Sequence, residues 1–396
     1  MRQMKHLVGM VPVLMVALIG CSSADQSTER VGEASAALTT QTTRLGVSSE
    51  LMPIDEPPYP AGIAASEDTL FIGSPFEARV LAYSRETHAL IGELPAPPNG
   101  FVLPFMLKSV KGDRLAVLDA GGFPSPKPFV PANPTIYEYR FKNHKGTFTA
   151  QLTRSIPFTG ALIGFAEDAL QLDDGRYLVN DAVLGSIWIA NQNGSIEPGI
   201  VPKTFEPEDA IPQMYYCDTM PQVTVGGLPF LFTASTVPGI TSMAQIKDTL
   251  YFTGSCSGAV YSVPLKVLKD QRKPWQRAAD IRVVSPKPAG VQVEELLGLT
   301  TNPFDSKDRY LYAADALQLR VIRIDPKSGE REVVGDDPHL FNFPSSLAFA
   351  PPACGSKKGA ALLTLSNQQH RLTILNDALQ EDVFEPPFLA TITHLK

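Results

Sequence analysis

Apolar and polar residues alternate along this chain in short paired runs. Leu250–Leu265 reads LYFTGSCSGAVYSVPL and Tyr310–Asp325 reads YLYAADALQLRVIRID; each is two alternating runs around a few small or polar residues. The same phrase recurs near Leu70 (TLFIGSPFEARVLAYS), Leu115 (DRLAVLDAGG, completed by TIYEYRF), Tyr177 (RYLVNDAVLGSIWIAN) and Leu362 (ALLTLSNQQHRLTIL). A period of two is that of a half-buried strand. A shorter run precedes each copy: AGIAAS, FMLKSV, EDALQL, ITSMAQI, LGLTTN and SSLAFA, set off by turns such as SED, KGD, DDG and DSKD. Each unit therefore predicts three strands with room for a fourth.

The copies are spaced 45, 62, 73, 61 and 51 residues apart. Repeats of about 40–50 residues with three or four strands mark propeller blades. Helical periodicity is nearly absent, and the 35 prolines suit strand edges and loops. The expected fold is all-β, a six-bladed β-propeller over residues 51–396, in which no blade can bury its faces alone. Two inserts stand out, Ala120–Pro134 and roughly Asn191–Val237. Long ordered loops commonly cover sites, and equally commonly decorate a surface.

The N-terminus reads as an address. Arg2 and Lys5 precede an apolar stretch, Leu7–Gly20, too short to span a bilayer comfortably, and LIGC is followed by polar SSADQSTE. Residues 1–20 resemble a bacterial lipoprotein signal, with Cys21 as the lipidated first residue of the mature chain. Residues 21–50 read as a flexible tether. The expected location is the cell envelope, on the periplasmic or extracellular face, with membrane contact through lipid alone. Loss of residues 1–20 moves the formal charge from −7 to −9, and no Lys/Arg-rich run occurs, which argues against nucleic-acid partners. A monomer is expected. Export permits a disulfide, and Cys217–Cys256 is favoured, because Cys354 lies in a Pro/Gly/Lys loop that reads as distant from both.

With the repeats in place, the body from Pro53 to Leu395 resembles six-bladed propellers of the senescence-marker-protein/gluconolactonase superfamily. RLAVLDAGG, GITSMAQIKDTLYFTGSCSGAVYSVPLKVL and FNFPSSLAFAPP…LLTLSNQQHRL resemble motifs of its yellow and major royal jelly branch. That branch includes amine binders. Gluconolactonase-type members hold a divalent cation, usually calcium, at one channel mouth with oxygen ligands from the starts of innermost strands. The cation polarises a lactone carbonyl and activates water. The corresponding positions here are Ala61, Glu167 with Asp168, Pro238 and Leu297. Only the third blade keeps oxygen ligands, so no cofactor is expected. Calcium is the one cation the resemblance would imply, with Glu167 its one plausible family-position ligand. Glu294 and Glu295, just before the fifth blade, are the carboxylates placed to substitute for the missing ones.

The candidate ligand contacts are Glu167, Asp168, Phe105 and Ser345. Adjacent strand residues face opposite ways, so only one of Glu167 and Asp168 can point inward. Asp119, Asp181 and Asp315 recur at the end of a second strand, where an Asp is expected to accept hydrogen bonds from the following turn. Gly254–Gly258 (GSCSG) has the spacing of a nucleophile elbow, yet a strand follows where a helix is required. His370 is expected on a turn, and no histidine pair has metal-ligand spacing. The leading functional expectation is small-molecule binding at the channel mouth. The alternatives are a lactonase-like hydrolase or isomerase with a remodelled cation site, and an envelope interaction scaffold.

Overall fold

The computed structural model describes residues 45–54, 59–110, 112–123, 130–144, 146–204, 220–232, 239–352, 359–384 and 386–395, all within the compact unit Thr42–Lys396. Six four-stranded antiparallel sheets form the blades of a propeller. Blade 1 comprises Ala61–Ala65, Thr69–Ser74, Arg79–Ser84 and Leu90–Glu93; blade 2, Pro104–Val110, Arg114–Asp119, Thr135–His144 and Thr147–Pro157. Blade 3 comprises Ala169–Gln171, Tyr177–Asn180, Ile187–Ala190 and Ile196–Ile200; blade 4, Ile240–Ile246, Thr249–Gly254, Val260–Pro264 and Arg282–Ser285. Blade 5 comprises Leu296–Thr300, Leu311–Asp315, Arg320–Ile324 and Arg331–Gly335. In these five the strands run inside to outside in chain order.

Blade 6 differs. Its inner three strands are Pro344–Ala350, Ala361–Ser366 and Phe388–Leu395, and its outermost strand is Gly46–Ile54 from the other end of the chain. The pairing runs from Gly46 opposite Leu395 to Ile54 opposite Phe388. The expected tether is thus too long: residues 46–50 belong to the propeller. The ring closes where the innermost strands of blades 6 and 1 meet.

Each interface between neighbouring blades holds its own apolar cluster. Leu70 and Ile72 pack towards blade 6, against Leu363 and Ala390, while Phe71 between them packs towards blade 2, against Phe141. The alternation read in the sequence is therefore apolar on both sides, each side feeding a different interface, as close packing in a radial stack requires. The expected insert after Asn191 is shorter than predicted, because Ile196–Ile200 completes blade 3. Within the rest of it, a small hairpin, Val223–Val225 with Leu228–Phe230, packs on Leu317 and Phe343 of blades 5 and 6. Short 3-10 helices follow the third strand of blade 4, Leu265–Lys269 and Pro274–Asp280. GSCSG is the turn between the second and third strands of blade 4. Cys256 within it is disulfide-bonded; Cys217 and Cys354 lie outside the described residues.

Candidate functional site at the channel mouth

The innermost strands begin at one face, here called the mouth, and end at the lower face. In five blades the pairing of the first two strands slips at that beginning, between Ala61 and Ile63, Pro104 and Met106, Ile240 and Ser242, Leu297 and Thr300, and Pro344 and Ser346. A bulge of this kind re-aims the extra residue. The residues skipped include Gly62, Phe105, Thr241, Gly298 and Ser345, and all five line the narrow waist of the channel. Gly62 and Gly298 have φ of +73° and +59°, and a Cβ on Gly62 would stand 2.6 Å from the Phe105 carbonyl oxygen. Only glycine lets adjacent inner strands approach so closely there.

Blade 3 solves the same problem with a side chain. Asn180 Oδ1 accepts hydrogen bonds from the backbone N–H groups of Glu167 (3.2 Å) and Asp168 (2.6 Å), and its Nδ2 donates to the Ile240 carbonyl. Glu167 is thereby turned into the channel. Asp168 turns away: its carboxylate accepts from Ala169 N (2.8 Å) and Met243 N (2.8 Å) and pairs with Lys108 Nζ (3.1 Å). Burial pushes the Asp168 carboxyl up, and Lys108 opposes that shift.

Above the waist lies a pocket of about 150 Å³. Its walls are largely aromatic: Tyr59, Phe76, Phe105, Phe123 and Phe165. Tyr59 and Phe76 sit 4.7 Å apart, Phe76 and Phe123 stack at 5.6 Å, and Phe105 meets Phe165 edge-on at 5.2 Å. Its polar lining residues are Glu167, Ser255, Glu295 and Gln369. Glu295 ends the loop entering blade 5. Its Oε1 accepts from Ser255 Oγ (3.0 Å), and its Oε2 is buried with no hydrogen-bond partner. Desolvation pushes Glu295 up to about 8, with Asp315 adding to the shift and Ser255 opposing it. Glu167 is raised well above the usual carboxylate range, first by burial, then by Glu295 and Asp168. Tyr59 is raised by burial, then by the charges of Glu167 and Glu295. Two carboxyls thus face apolar walls with no basic side chain among the pocket's described lining residues.

Of the residues singled out from sequence, Phe105 and Glu167 line both the pocket and the waist, and Ser345 lines the waist. Asp168 reaches neither. Ala61 and Leu297 also line the waist, while Pro238 lies outside the described residues. Among the described residues no cluster of three or more His, Cys, Asp or Glu could hold a metal ion. Glu294, the neighbour of Glu295, faces the other way, with Arg331 Nη1 2.6 Å from its carboxylate.

The repeated aspartates position the site. Asp119 accepts from Gly121 N in the following turn and from Val102 N and Leu103 N in the loop leading to Phe105. Asp181 likewise accepts from Val183 N, and from Gly164 N and Phe165 N ahead of Glu167. Asp315 departs from the expectation and pairs with Arg320 (2.8 Å). His370 does sit in a short 3-10 turn, but it is buried and stacks on Phe343 at 5.3 Å; burial lowers it to about 4. Its neighbour Gln369 lines the pocket instead.

The class defined by this architecture is the six-bladed β-propeller with an aromatic pocket carrying two carboxyls at one mouth. No protein-family model matches the chain, and no curated protein matches it. Among solved structures, a luciferin-regenerating enzyme aligns at 13% identity over 88% of this chain and 95% of its own, with a TM-score of 0.50. A gluconolactonase from Xanthomonas campestris aligns at 13% identity over 90% and 92% (TM-score 0.48). Regucalcin, a calcium-binding protein from Agrobacterium tumefaciens, aligns at 13% over 88% and 94% (TM-score 0.49). The likeness is one of fold, the fold expected from the repeats.

Proposed function

We propose that this chain is a binding propeller whose mouth pocket takes a small apolar molecule bearing a protonated amine. The observation that carries the reading is Glu295 Oε2, buried and unpartnered on a pocket floor shared with Glu167. A buried carboxylate without a cation is costly, and an ammonium supplies the missing charge. The rings of Tyr59, Phe76 and Phe105 suit both the apolar body and the cation, whose attraction to a ring face is worth about 0.5–2 kcal/mol. The pocket volume of about 150 Å³ suits a compact ligand.

Binding a cation requires Glu295 to give up its proton. Below its value of about 8, affinity should rise about tenfold per pH unit and then level off. The test is calorimetric titration with phenethylamine and tyramine between pH 6 and 9, on wild type, Glu295→Gln and Glu167→Gln. The expected result is proton release on binding, and at least a tenfold loss of affinity in each variant. The competing occupant is calcium, which needs six to eight oxygens. A calcium-dependent rise of several degrees in melting temperature that Glu167→Gln abolishes, with no amine binding, would put the lactonase-like reading first.

A further inference from the structure

We propose that the lower end of the channel is a second, separate binding chamber, for an amphiphile with an apolar body and one carboxylate, and that Lys108 receives the carboxylate. This site does not depend on the reading of the mouth pocket.

The chamber is the larger of the two by far, about 720 Å³. That lies within the usual range of small-molecule sites, roughly 300–1,000 Å³. Its walls come from the lower halves of the innermost strands and the turns beyond them, and they are predominantly apolar: Ile63, Leu107, Leu347 and Phe349, with Phe304 at the lip. Phe304 is 48% exposed, on the turn-rich connection after the first strand of blade 5. A large ring standing in water beside an apolar hollow is covered when the hollow is filled.

The charge of the ligand follows from the groups facing the space. Lys108 lines the chamber, and its side chain is 24% exposed. An ammonium has three donors. One meets Asp168 Oδ1 at 3.1 Å, and Asp168 has its own backbone donors in Ala169 N and Met243 N. Lys108 can therefore offer further donors to the chamber while keeping its ion pair. Two carboxylates at the lip are already engaged. Asp113 pairs with Arg140 (3.6 Å), and Asp68 accepts from the hydroxyls of Ser66 (3.0 Å) and Thr69 (2.8 Å). Glu67 is exposed, as are Lys142 and His144 across from it. Among the described residues the inner end thus presents one cation, Lys108, to an apolar space, and a carboxylate with a hydrocarbon body complements both features.

Adjacent residues at the start of blade 3 serve the two chambers. Glu167 faces the mouth and Asp168, the next residue, holds the lysine of the lower chamber. Ligands of opposite charge are thereby assigned to opposite ends of one channel.

The experiment uses residues 21–396 and three probes of equal chain length: dodecanoate, dodecanol and dodecyltrimethylammonium, each below its micellar concentration. Dodecanoate should bind at least tenfold tighter than the alcohol, and the cation weakest. Lys108→Gln should bring the carboxylate-to-alcohol ratio to about one while alcohol binding persists, which also reports an intact chamber. Phe304→Asp, on an exposed loop, should cut dodecanoate affinity at least tenfold without lowering the melting temperature, and keeps the question decidable should Lys108→Gln fail to fold. Glu295→Gln should leave dodecanoate affinity unchanged. Absence of dodecanoate binding, a preference for the cation, or a ratio that survives Lys108→Gln overturns the proposal. So does sensitivity to Glu295→Gln with indifference to Phe304→Asp, because the probe would then sit in the mouth pocket.

Discussion

Glu295 shows how a single side chain links stability to function. Its carboxyl is shifted from an ordinary value of 4.5 to about 8 because burial penalises the charged form. The folded chain therefore keeps a proton that the unfolded chain has already released. Stability from this group is fully present below pH 4.5 and is lost as pH rises through about 8. Glutamine has the same shape and does not titrate. Glu295→Gln should unfold near the wild-type temperature at pH 5. At pH 8.5 it should be the more stable protein, by about 3–5 kcal/mol. Thermal unfolding at the two pH values checks this, and a wild type that is the more stable at pH 8.5 would show that a buried partner holds the charge. The same substitution removes the proposed counter-ion, so the variant that gains stability is the one that loses its ligand. Such opposition is what a functional site built from an unfavourable group produces.

At the level of elements, the first strand of the propeller matters out of proportion to its length. Gly46–Ile54 supplies the outer strand of blade 6 and buries Met52 and Ile54 against blade 1, beside Ile63 and Leu81. Without it Phe388–Leu395 becomes an open edge. A chain beginning at residue 55 should lose its cooperative thermal transition or aggregate. A sharp transition within a few degrees of the full-length protein would show that the blade holds without its closing strand. The strand escaped the sequence reading because VSSELMPI alternates poorly and its partner lies at the far end of the chain. The remaining strands were legible because alternation serves two apolar interfaces at once. The site was legible only in part. Phe105, Glu167 and Ser345 stand where the inner strands begin, which the repeats locate. Tyr59, Phe76 and Phe123 come from connections, where no period marks them, and Ser255 reads as an ordinary turn residue until its contact with Glu295 is seen. The bulges that aim residues into the channel depend on pairing between strands, which a linear pattern does not encode.

At the scale of the whole molecule, the two ends of the channel differ in volume, lining and charge, while among the described residues no helix is long and apolar enough to cross a membrane. We expect attachment to the envelope through Cys21. Cys21→Ser should move the protein from the membrane fraction to the soluble one, and unchanged retention of the variant would refute lipidation. The closing strand has one more consequence, in the order of events during synthesis. Ser48 and Thr393 share a hydrogen bond across 345 positions of sequence. Pairings between the two ends of a chain are the slowest to form, because the whole intervening loop must close first. Blades 1 to 5 can assemble as they emerge, each against the one before. Gly46–Ile54, although made before the blades, must wait unpaired until the last residues leave the ribosome. For that interval its apolar Met52 and Ile54 stand exposed, so the earliest part of the fold to be made is the last to be protected.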